Sequence, residues 1–149
     1  MKTPSLYIMC GLPCSGKSTF AKSISGFKVL SSDDYIEQRA KELQKTYNDV
    51  FNETIQPANK AFFLDVFTEA KKENDIIIDR TNLEKSTRQK FIKIFQHHDP
   101  VIFYFDIPIQ IIKKRNNRPG KFISDEILDS MLKRLQPPME DECRVVTFN

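Results

Sequence analysis

Long hydrophobic runs are missing from this sequence. The longest apolar stretches, Ile76–Ile78 and Val101–Phe105, fall far short of the roughly 20 residues that a helix needs to span a bilayer. The N-terminal residues carry one lysine and no cleavage-site pattern, so we expect no signal peptide. We therefore expect a chain without a membrane-spanning segment.

Cysteine is too scarce for a disulfide framework. The three cysteines, Cys10, Cys14 and Cys143, include no Cys-x-x-Cys pair, and their number is odd. This usage is typical of proteins from a reducing compartment. We expect a cytoplasmic location, and nothing in the sequence points to an obligate protein partner.

Acidic residues are absent from two segments, although the chain as a whole has a net charge of only +3. Residues 1–32 contain no Asp or Glu, and neither do residues 107–124. Segments without negative charge suit a polyphosphate ligand, although a surface with a simple sign bias would give the same pattern. Within the second segment, Lys113, Lys114 and Lys121 are expected to lie on a solvated basic face.

What the sequence does contain is an alternation of short apolar runs with amphipathic stretches. The unbroken run Ile76–Ile78 predicts a strand buried on both faces, as in a parallel sheet. Tyr47–Asn52 is polar and predicts a turn, followed by a helix from about Glu53 to Lys72. The pattern predicts one domain over residues 1–149, an α/β three-layer sandwich with a mainly parallel sheet of about five strands. The strands are predicted at Leu6–Cys10, Phe27–Ser31, Ile76–Asp79, Val101–Phe105 and Arg144–Phe148.

A glycine-rich loop follows the first predicted strand. Residues Gly11–Ser18 match the pattern G-x-x-x-x-G-K-[S/T], in which successive backbone N–H groups point at phosphate oxygens. Lys17 would bridge the β- and γ-phosphates of ATP, and the Ser18 hydroxyl would hold Mg²⁺. The predicted phosphate-binding residues are Gly11, Leu12, Pro13, Cys14, Ser15, Gly16, Lys17, Ser18 and Thr19.

Cys14 occupies a position at which many loops of this pattern carry glycine. Cysteine is small enough to fit there if the local φ angle is negative. A thiol beside a helix N-terminus can be reactive, and an inert small residue is the alternative interpretation.

Two acidic residues follow the second predicted strand. Asp33 and Asp34 lie at the carboxyl end of that strand, the edge at which open α/β sheets bind their ligands. Transfer of a phosphoryl group to a hydroxyl calls for a carboxylate within reach of the acceptor proton. Asp33 is therefore the candidate general base. Asp34 is the second choice for that role and would otherwise lie beside the acceptor. Capping of the next helix is the alternative role.

In their order along the chain, these motifs resemble the polynucleotide 5′-kinase-like group of P-loop kinases, which includes bacteriophage end-healing enzymes. The resemblance implies a P-loop NTPase sandwich with a short arginine-bearing lid, ATP and Mg²⁺ as cofactors, and Asp33 as the base. The matching pieces span nearly the whole chain: Gly11–Thr19, Asp33-Asp34-Tyr35, Asp79–Leu83, Arg115 with Arg118, and Pro137-Pro138 with Glu140 and Glu142.

The resemblance also implies roles for two other segments. Asp79 would order the metal's water or orient Lys17, while Thr81 and Asn82 would line the acceptor pocket. A capping aspartate and a turn asparagine are the alternative. Arg115 and Arg118 belong to the implied lid, where they would close over ATP and stabilise charge on the transferring phosphoryl group.

Two positions depart from the pattern of this group. The group has an arginine three residues after the base, which binds the acceptor phosphate. This chain has Ile36 there, and Arg39, one turn further on, is the candidate substitute. The phage enzymes carry aspartate directly before Thr-Asn, whereas this chain has Arg80 in that place and Asp79 before it.

The sequence therefore predicts a kinase that transfers the γ-phosphate of ATP to an acceptor hydroxyl. The resemblance implies that the acceptor is a polynucleotide 5′-hydroxyl. A nucleoside, a hydroxymethylated base or another small hydroxyl compound is the alternative acceptor. An ATPase or nucleotide-switch module is the alternative from another class of protein.

Overall fold

The computed structural model describes residues 2–149, along which five strands alternate with six helices. Every predicted strand is present, with bounds that differ by a few residues. The strands are β1 (Ser5–Cys10), β2 (Lys28–Leu30), β3 (Ile76–Ile78), β4 (Asp99–Phe105) and β5 (Arg144–Phe148). The helices are α1 (Lys17–Ser23), α2 (Ser32–Leu43), α3 (Tyr47–Glu69), α4 (Lys85–Ile94), α5 (Ile109–Arg115) and α6 (Asp125–Arg134).

The strands form one sheet in the order β2-β3-β1-β4-β5, and every neighbouring pair is parallel. The predicted mainly parallel sheet is thus confirmed. All three residues of β3 are fully buried, as the unbroken apolar run predicted. Because β2, β3 and β1 are neighbours, the segments that follow them leave the sheet side by side at its carboxyl edge.

Side chains alternate between the two faces of the sheet, and helices cover both faces. On one face the β1 residues Leu6 and Ile8 belong to a core that includes Phe62 of α3 and Phe91 of α4. On the other face Met9 packs in a cluster with Ala21 of α1. This arrangement is the predicted three-layer sandwich.

Helix α3 begins earlier than predicted, and the prediction of a turn at Tyr47–Asn52 is wrong. Thr46 and Asp49 form a capping box, in which each side chain accepts a hydrogen bond of 3.1 Å from the other residue's backbone N–H. The polar stretch is therefore the first turn of the helix, and Pro57 lies inside the helix. Neither α3 nor any other helix within the described residues has the length and apolar character needed to cross a bilayer.

Helix α2 also begins differently from the prediction. The N-cap residue is Ser31, whose side chain makes no capping hydrogen bond, so neither Asp33 nor Asp34 caps the helix. Both carboxylates lie in the first turn, where they interact favourably with the positive end of the helix dipole. The acidic pair is thus held on a regular helical turn directly after β2.

Candidate active site

The loop between β1 and α1 makes a close backbone approach at Gly11. A Cβ atom at this position would lie 3.0 Å from Phe105 Cβ and 3.0 Å from Ser15 Oγ, so a larger residue would fit only if these neighbours shifted by a few tenths of an ångström. The Gly11 N–H donates to Thr81 O at 3.0 Å and so ties the loop to the segment after β3. The loop leads directly into α1 at Lys17, and a helix N-terminus attracts phosphate oxygens.

Lys17 is buried beneath this loop, and its Nζ donates to Leu12 O at 2.7 Å. Burial lowers the pKa of Lys17 to about 8, while the negative charges of Asp79 and Asp33 act in the opposite direction. Ser15 Oγ is buried in the same loop without a hydrogen-bond partner among the described residues. A bound phosphate would supply both the negative charge that favours protonated Lys17 and an acceptor for the Ser15 hydroxyl.

Ser18 and Asp79 meet at the mouth of the loop, where Ser18 Oγ donates to Asp79 Oδ2 at 2.8 Å. Burial raises the pKa of Asp79, and the hydrogen bond from Ser18 and the charge of Lys17 oppose this rise. Hydroxyl and carboxylate oxygens are ligands that Mg²⁺ accepts. Within residues 2–149 no group of three or more His, Cys, Asp or Glu side chains is placed to hold a metal.

Cys14 departs from its expected conformation. Its φ angle is 62°, in the left-handed region, so the condition of a negative φ is not met. A residue with a Cβ atom in this region is destabilised by roughly 1 kcal/mol, which explains why glycine suits the position. Cys14 thus introduces backbone strain into the phosphate loop.

Asp33 is exposed, yet both of its carboxylate oxygens have partners. The Tyr47 hydroxyl donates to Oδ1 at 2.6 Å, and Lys121 Nζ lies 3.7 Å from Oδ2. Lys121 Nζ also pairs with Glu37 and lies 4.6 Å from the centre of the Tyr47 ring. The Lys121 side chain is only 21% exposed, so its expected place on a solvated face is wrong.

Tyr47 and Lys121 are the two residues of this site that sequence reasoning missed. The signal for Tyr47 was present, because the spacing of Thr46 and Asp49 matches a capping box and places Tyr47 at the start of a helix. No local pattern brings Lys121 to Asp33, because the two residues meet only through the tertiary fold.

The other candidates on α2 have different surroundings. Burial, and then the neighbouring charge of Glu37, raise the pKa of Asp34. Arg39 pairs with Glu42 on its own helix at 3.4 Å, and no contact within the described residues joins it to Asp33. Ile36 is fully buried in the packing between α2 and α3.

The two predicted acceptor residues after β3 are held differently. Asn82 is buried with a φ angle of 45°, and its Nδ2 donates to Met9 O at 2.6 Å, which holds this segment against β1. Its Oδ1 has no hydrogen-bond partner among the described residues. Thr81 is half-buried and lines a cavity together with Asn82.

Residues 115–123, here called the lid, carry both predicted lid arginines. Arg115 Nη1 lies 3.4 Å from Cys14 O, which places this side chain beside the phosphate loop. Arg118 forms an antiparallel bridge with Lys121, and its charge acts on Tyr47. The first arginine therefore lies on the nucleotide side of the site and the second near the residues that hold Asp33.

The lid is attached to the start of α3 through Asn48. The Asn48 N–H donates to Gly120 O at 2.9 Å. Its side chain makes two further hydrogen bonds of 3.0 Å to the backbone of Phe122, one as donor and one as acceptor. Because Tyr47 precedes Asn48, the lid and the partner of Asp33 belong to one hydrogen-bonded unit.

Arg88 fixes the segment after β3 from beneath. Its guanidinium is fully buried and donates to Asn82 O, Leu83 O and Gln136 O, each at 2.9 Å. It also pairs with the Glu142 carboxylate at 2.9 and 3.0 Å. The ion pair connects the ligand edge of the sheet to the segment that precedes β5.

The fold and the phosphate loop define a P-loop kinase. The chain belongs to the AAA domain family AAA_33, whose model matches residues 6–138. It is 27% identical over 138 residues to L-seryl-tRNA(Sec) kinase of Methanococcus maripaludis, an alignment that covers 89% of this chain and 53% of that protein. The chain thus spans about half the length of this curated relative.

Two solved structures share the fold. A chain of the Pnkp1/Rnl/Hen1 RNA repair complex is 25% identical with a TM-score of 0.69, and the match covers 91% of this chain and 45% of that chain. A gluconokinase from Sinorhizobium meliloti 1021 is 17% identical with a TM-score of 0.63, covering 99% of this chain and 83% of the other. The second likeness concerns the fold alone. The predicted membership among P-loop kinases is confirmed.

Proposed function

We propose that this chain is an ATP- and Mg²⁺-dependent kinase that transfers the γ-phosphoryl group to the 5′-hydroxyl of a nucleic-acid strand. The observation that carries the proposal is the position of Asp33 beside the phosphate loop. Asp33 follows β2, two strands from β1 in the sheet, and its charge acts on both Lys17 and Asp79. A carboxylate at this edge is suited to accept the proton of a hydroxyl that attacks phosphorus.

On the nucleotide side, free backbone N–H groups of the loop between Leu12 and Thr19 bind the phosphates, and Lys17 adds a positive charge. Ser18 and Asp79 are the residues that would hold Mg²⁺, which would supply positive charge beside the phosphate oxygens. Arg115, beside the loop, and Arg118, near the residues that hold Asp33, stabilise the negative charge that spreads over the transferring group.

On the acceptor side, Asp33 takes the proton from the attacking hydroxyl. The acceptor oxygen forms a bond to the γ-phosphorus while the bond from that phosphorus to the bridging oxygen breaks, and ADP leaves. Tyr47 holds one carboxylate oxygen of Asp33 in place. Lys121 moves away from the other oxygen, which then accepts the proton of the acceptor hydroxyl. Asp34 lies beside the incoming hydroxyl.

A nucleic-acid acceptor is supported by the order of the motifs and by two similarities. One is to a chain of an RNA repair complex, and the other is to a kinase whose name places its acceptor on a tRNA. This chain covers about half of each of those proteins. The two similarities therefore support phosphoryl transfer by this domain and not the activity of the whole proteins.

The second candidate function is phosphorylation of a hydroxyl other than a 5′-hydroxyl. The identity of 27% to L-seryl-tRNA(Sec) kinase favours an aminoacyl hydroxyl on tRNA as that acceptor. Both candidates use the same phosphate loop and the same base, so the two differ only in the group presented to Asp33.

Transfer from γ-labelled ATP to a panel of acceptors separates these functions. The panel contains 5′-hydroxyl DNA, 5′-hydroxyl RNA, seryl-tRNA, a nucleoside and gluconate, with Mg²⁺ present and then removed by a chelator. We expect label on the 5′-hydroxyl strands and none without Mg²⁺. Label on seryl-tRNA alone would establish the second candidate. ATP hydrolysis that is indifferent to every acceptor would instead identify an ATPase.

The role of Asp33 is tested by Asp33→Asn, which keeps the shape of the side chain. We expect turnover to fall about 100-fold or more, with ATP affinity nearly unchanged. Glu42→Gln is the control, an exposed carboxylate on the same helix that should leave turnover as it is. An equal loss of ATP binding in Asp33→Asn would assign Asp33 to the metal or to the structure.

A further inference from the structure

The lid carries three cations, and they are held unequally. Lys121 Nζ pairs with the carboxylates of Asp33 and Glu37, and its side chain is only 21% exposed. Within the described part of the chain, neither Arg115 nor Arg118 forms a salt bridge. Lys121 therefore fixes the lid by charge in the free protein, while the two arginines keep their charge for an anion.

The two arginines are held weakly in this position of the lid. The hydrogen bond from Arg115 Nη1 to Cys14 O is long, at 3.4 Å, and its acceptor is a neutral carbonyl. Arg118 Nε is buried without a hydrogen-bond partner among the described residues, which costs free energy until a ligand or water accepts from it. A nucleoside triphosphate on the loop would offer Arg115 charged oxygens, which make stronger hydrogen bonds than a carbonyl does.

The lid is cross-linked internally, so its arginines and its lysine move together. The Asn116 side chain makes two hydrogen bonds to the backbone of Ile123, one of 2.5 Å as donor and one of 3.0 Å as acceptor. Between them, the Lys121 N–H donates to Arg118 O at 3.2 Å. A displacement of Arg115 toward a bound phosphate is thus transmitted to Lys121.

The Lys121 ammonium stands beside the oxygen of Asp33 that the acceptor needs. Tyr47 already donates to Asp33 Oδ1 at 2.6 Å, and Lys121 Nζ lies 3.7 Å from Oδ2. An acceptor hydroxyl has to come within about 2.6–3.2 Å of a carboxylate oxygen to pass on its proton. The ammonium therefore competes with the hydroxyl for Oδ2. Glu37, one turn further along α2, helps to keep the ammonium there.

We propose that the pairing of Lys121 with Asp33 and Glu37 is an autoinhibitory latch, which opens when a nucleoside triphosphate on the phosphate loop draws the lid toward it through Arg115. The inference rests on the proposed function for the role of Asp33, and it adds the order of binding, nucleotide first and acceptor second. Opening the latch consumes part of the binding free energy of the nucleotide, so a protein without the latch binds the nucleotide more tightly.

The test measures binding of a non-hydrolysable ATP analogue with Mg²⁺ by calorimetry, in wild type and in Lys121→Met. We expect the variant to bind the analogue about fivefold or more tightly, because no latch has to open. Loss of a cation near a polyphosphate site would by itself weaken binding, so the direction of the change identifies the latch. Lys114→Met removes an exposed cation directly before the lid and is the matched control, in which no gain is expected.

Glu37→Gln weakens the same contact from the side of α2. It should also strengthen binding of the analogue, by a smaller factor, since Asp33 still holds Lys121. Glu42→Gln, an exposed carboxylate on the same helix, is its control and should leave the affinity as it is. Equal or weaker binding by folded Lys121→Met would overturn the latch. If that variant does not fold, equal binding by Glu37→Gln and Glu42→Gln would overturn it.

The order of binding is tested with a short 5′-hydroxyl DNA strand. Wild type should bind the strand about fivefold or more tightly with the analogue than without it, whereas Lys121→Met should bind it equally well in both cases. Equal affinities in wild type would refute the order. Tighter binding of the analogue by Lys121→Met, with no transfer to any hydroxyl of the panel, would support the latch and refute the proposed reaction. Transfer by wild type, with no gain in either variant, would refute the latch alone.

Discussion

Tyr47 donates a hydrogen bond of 2.6 Å to Asp33 Oδ1, and so the first turn of α3 holds the candidate base in the first turn of α2. The Tyr47 ring also supports Lys121, whose ammonium approaches the other carboxylate oxygen of Asp33. Burial raises the pKa of Tyr47, and the hydrogen bond to Asp33 adds to this effect. Tyr47 therefore remains protonated, and donates, across the pH range in which the protein would be assayed.

Removing this hydroxyl should impair turnover without weakening nucleotide binding. In Tyr47→Phe we expect kcat to fall roughly tenfold, since a hydrogen bond to a charged group contributes about 1.5–3 kcal/mol. The KM for ATP should stay within about twofold, because Tyr47 contacts Asp33 and not the phosphate loop. Steady-state kinetics with the best acceptor of the panel measures both values.

Tyr35→Phe is the matched control for this prediction. Its hydroxyl also donates to a carboxylate between α2 and α3, that of Asp65, without touching Asp33. We expect kcat of the control to match wild type. If both substitutions lower kcat to the same extent, packing of the two helices is responsible, and the positioning role of Tyr47 is refuted.

Nucleotide affinity should depend on pH through Lys17. Since burial lowers its pKa to about 8, Lys17 in the free protein loses its charge as the pH rises past that value. The dissociation constant for ATP should therefore increase above pH 8, approaching tenfold per pH unit. Equilibrium titration between pH 7 and about pH 9.5 checks this, and Lys17→Met should bind weakly with little change over the same range.

The lowered pKa of Lys17 also predicts how the stability of the protein depends on pH. Between pH 8 and the ordinary lysine value of 10.5, the unfolded chain binds more protons at Lys17 than the folded chain does. The free energy of unfolding of wild type should therefore rise with pH in this window, relative to Lys17→Met. Urea denaturation at several pH values measures the difference, and parallel curves for the two proteins would contradict the assignment.

Strain at Cys14 should be removable. Cys14→Gly keeps the φ angle of 62° at lower conformational cost, so we expect the free energy of unfolding to rise by about 0.5–1 kcal/mol. Cys14→Ala keeps the Cβ atom and should give no such gain. A loss of stability in the glycine variant, measured by urea denaturation, would show that the cysteine side chain contributes more packing than the strain removes.

The buried ion pair between Arg88 and Glu142 should be essential to stability. Arg88→Met removes the positive partner of the buried Glu142 carboxylate and one donor from each of three backbone carbonyls, and we expect a loss of about 3–5 kcal/mol. Lys85→Met breaks a neighbouring pair with Asp141, at 3.2 Å and partly exposed, and should cost less than about 1 kcal/mol. Losses of similar size in the two variants would argue against a special role for the buried pair.

The sheet and the phosphate loop could be predicted because both are encoded locally. Apolar runs such as Ile76–Ile78 mark buried strands, and the spacing of Gly11, Gly16 and Lys17 marks the loop. The polar composition of Tyr47–Asn52 predicts a turn, but the capping pair of Thr46 and Asp49 stabilises a polar first turn of α3 instead.

The acceptor side could be predicted only in part. Asp33 follows from its place after a strand, but the contacts of Lys121 and Arg80 depend on how distant segments fold against one another. Arg80 is held by two phenylalanine rings of α3, and Lys121 reaches α2 through the path of the lid. No short-range sequence pattern predicts the contacts of Arg80 or of Lys121, since the partners are far apart in sequence.

Gly120 determines how near the lid can come to α3. A methyl group in place of its hydrogen would stand 2.6 Å from the Thr46 side chain, and its φ angle of 69° is one that residues with a Cβ atom rarely adopt. Any bulkier residue at this position would push residues 115–123 away from α3 and separate Lys121 from Asp33. The smallest amino acid thus sets how wide the gap between residues 115–123 and the start of α3 is in the absence of substrate.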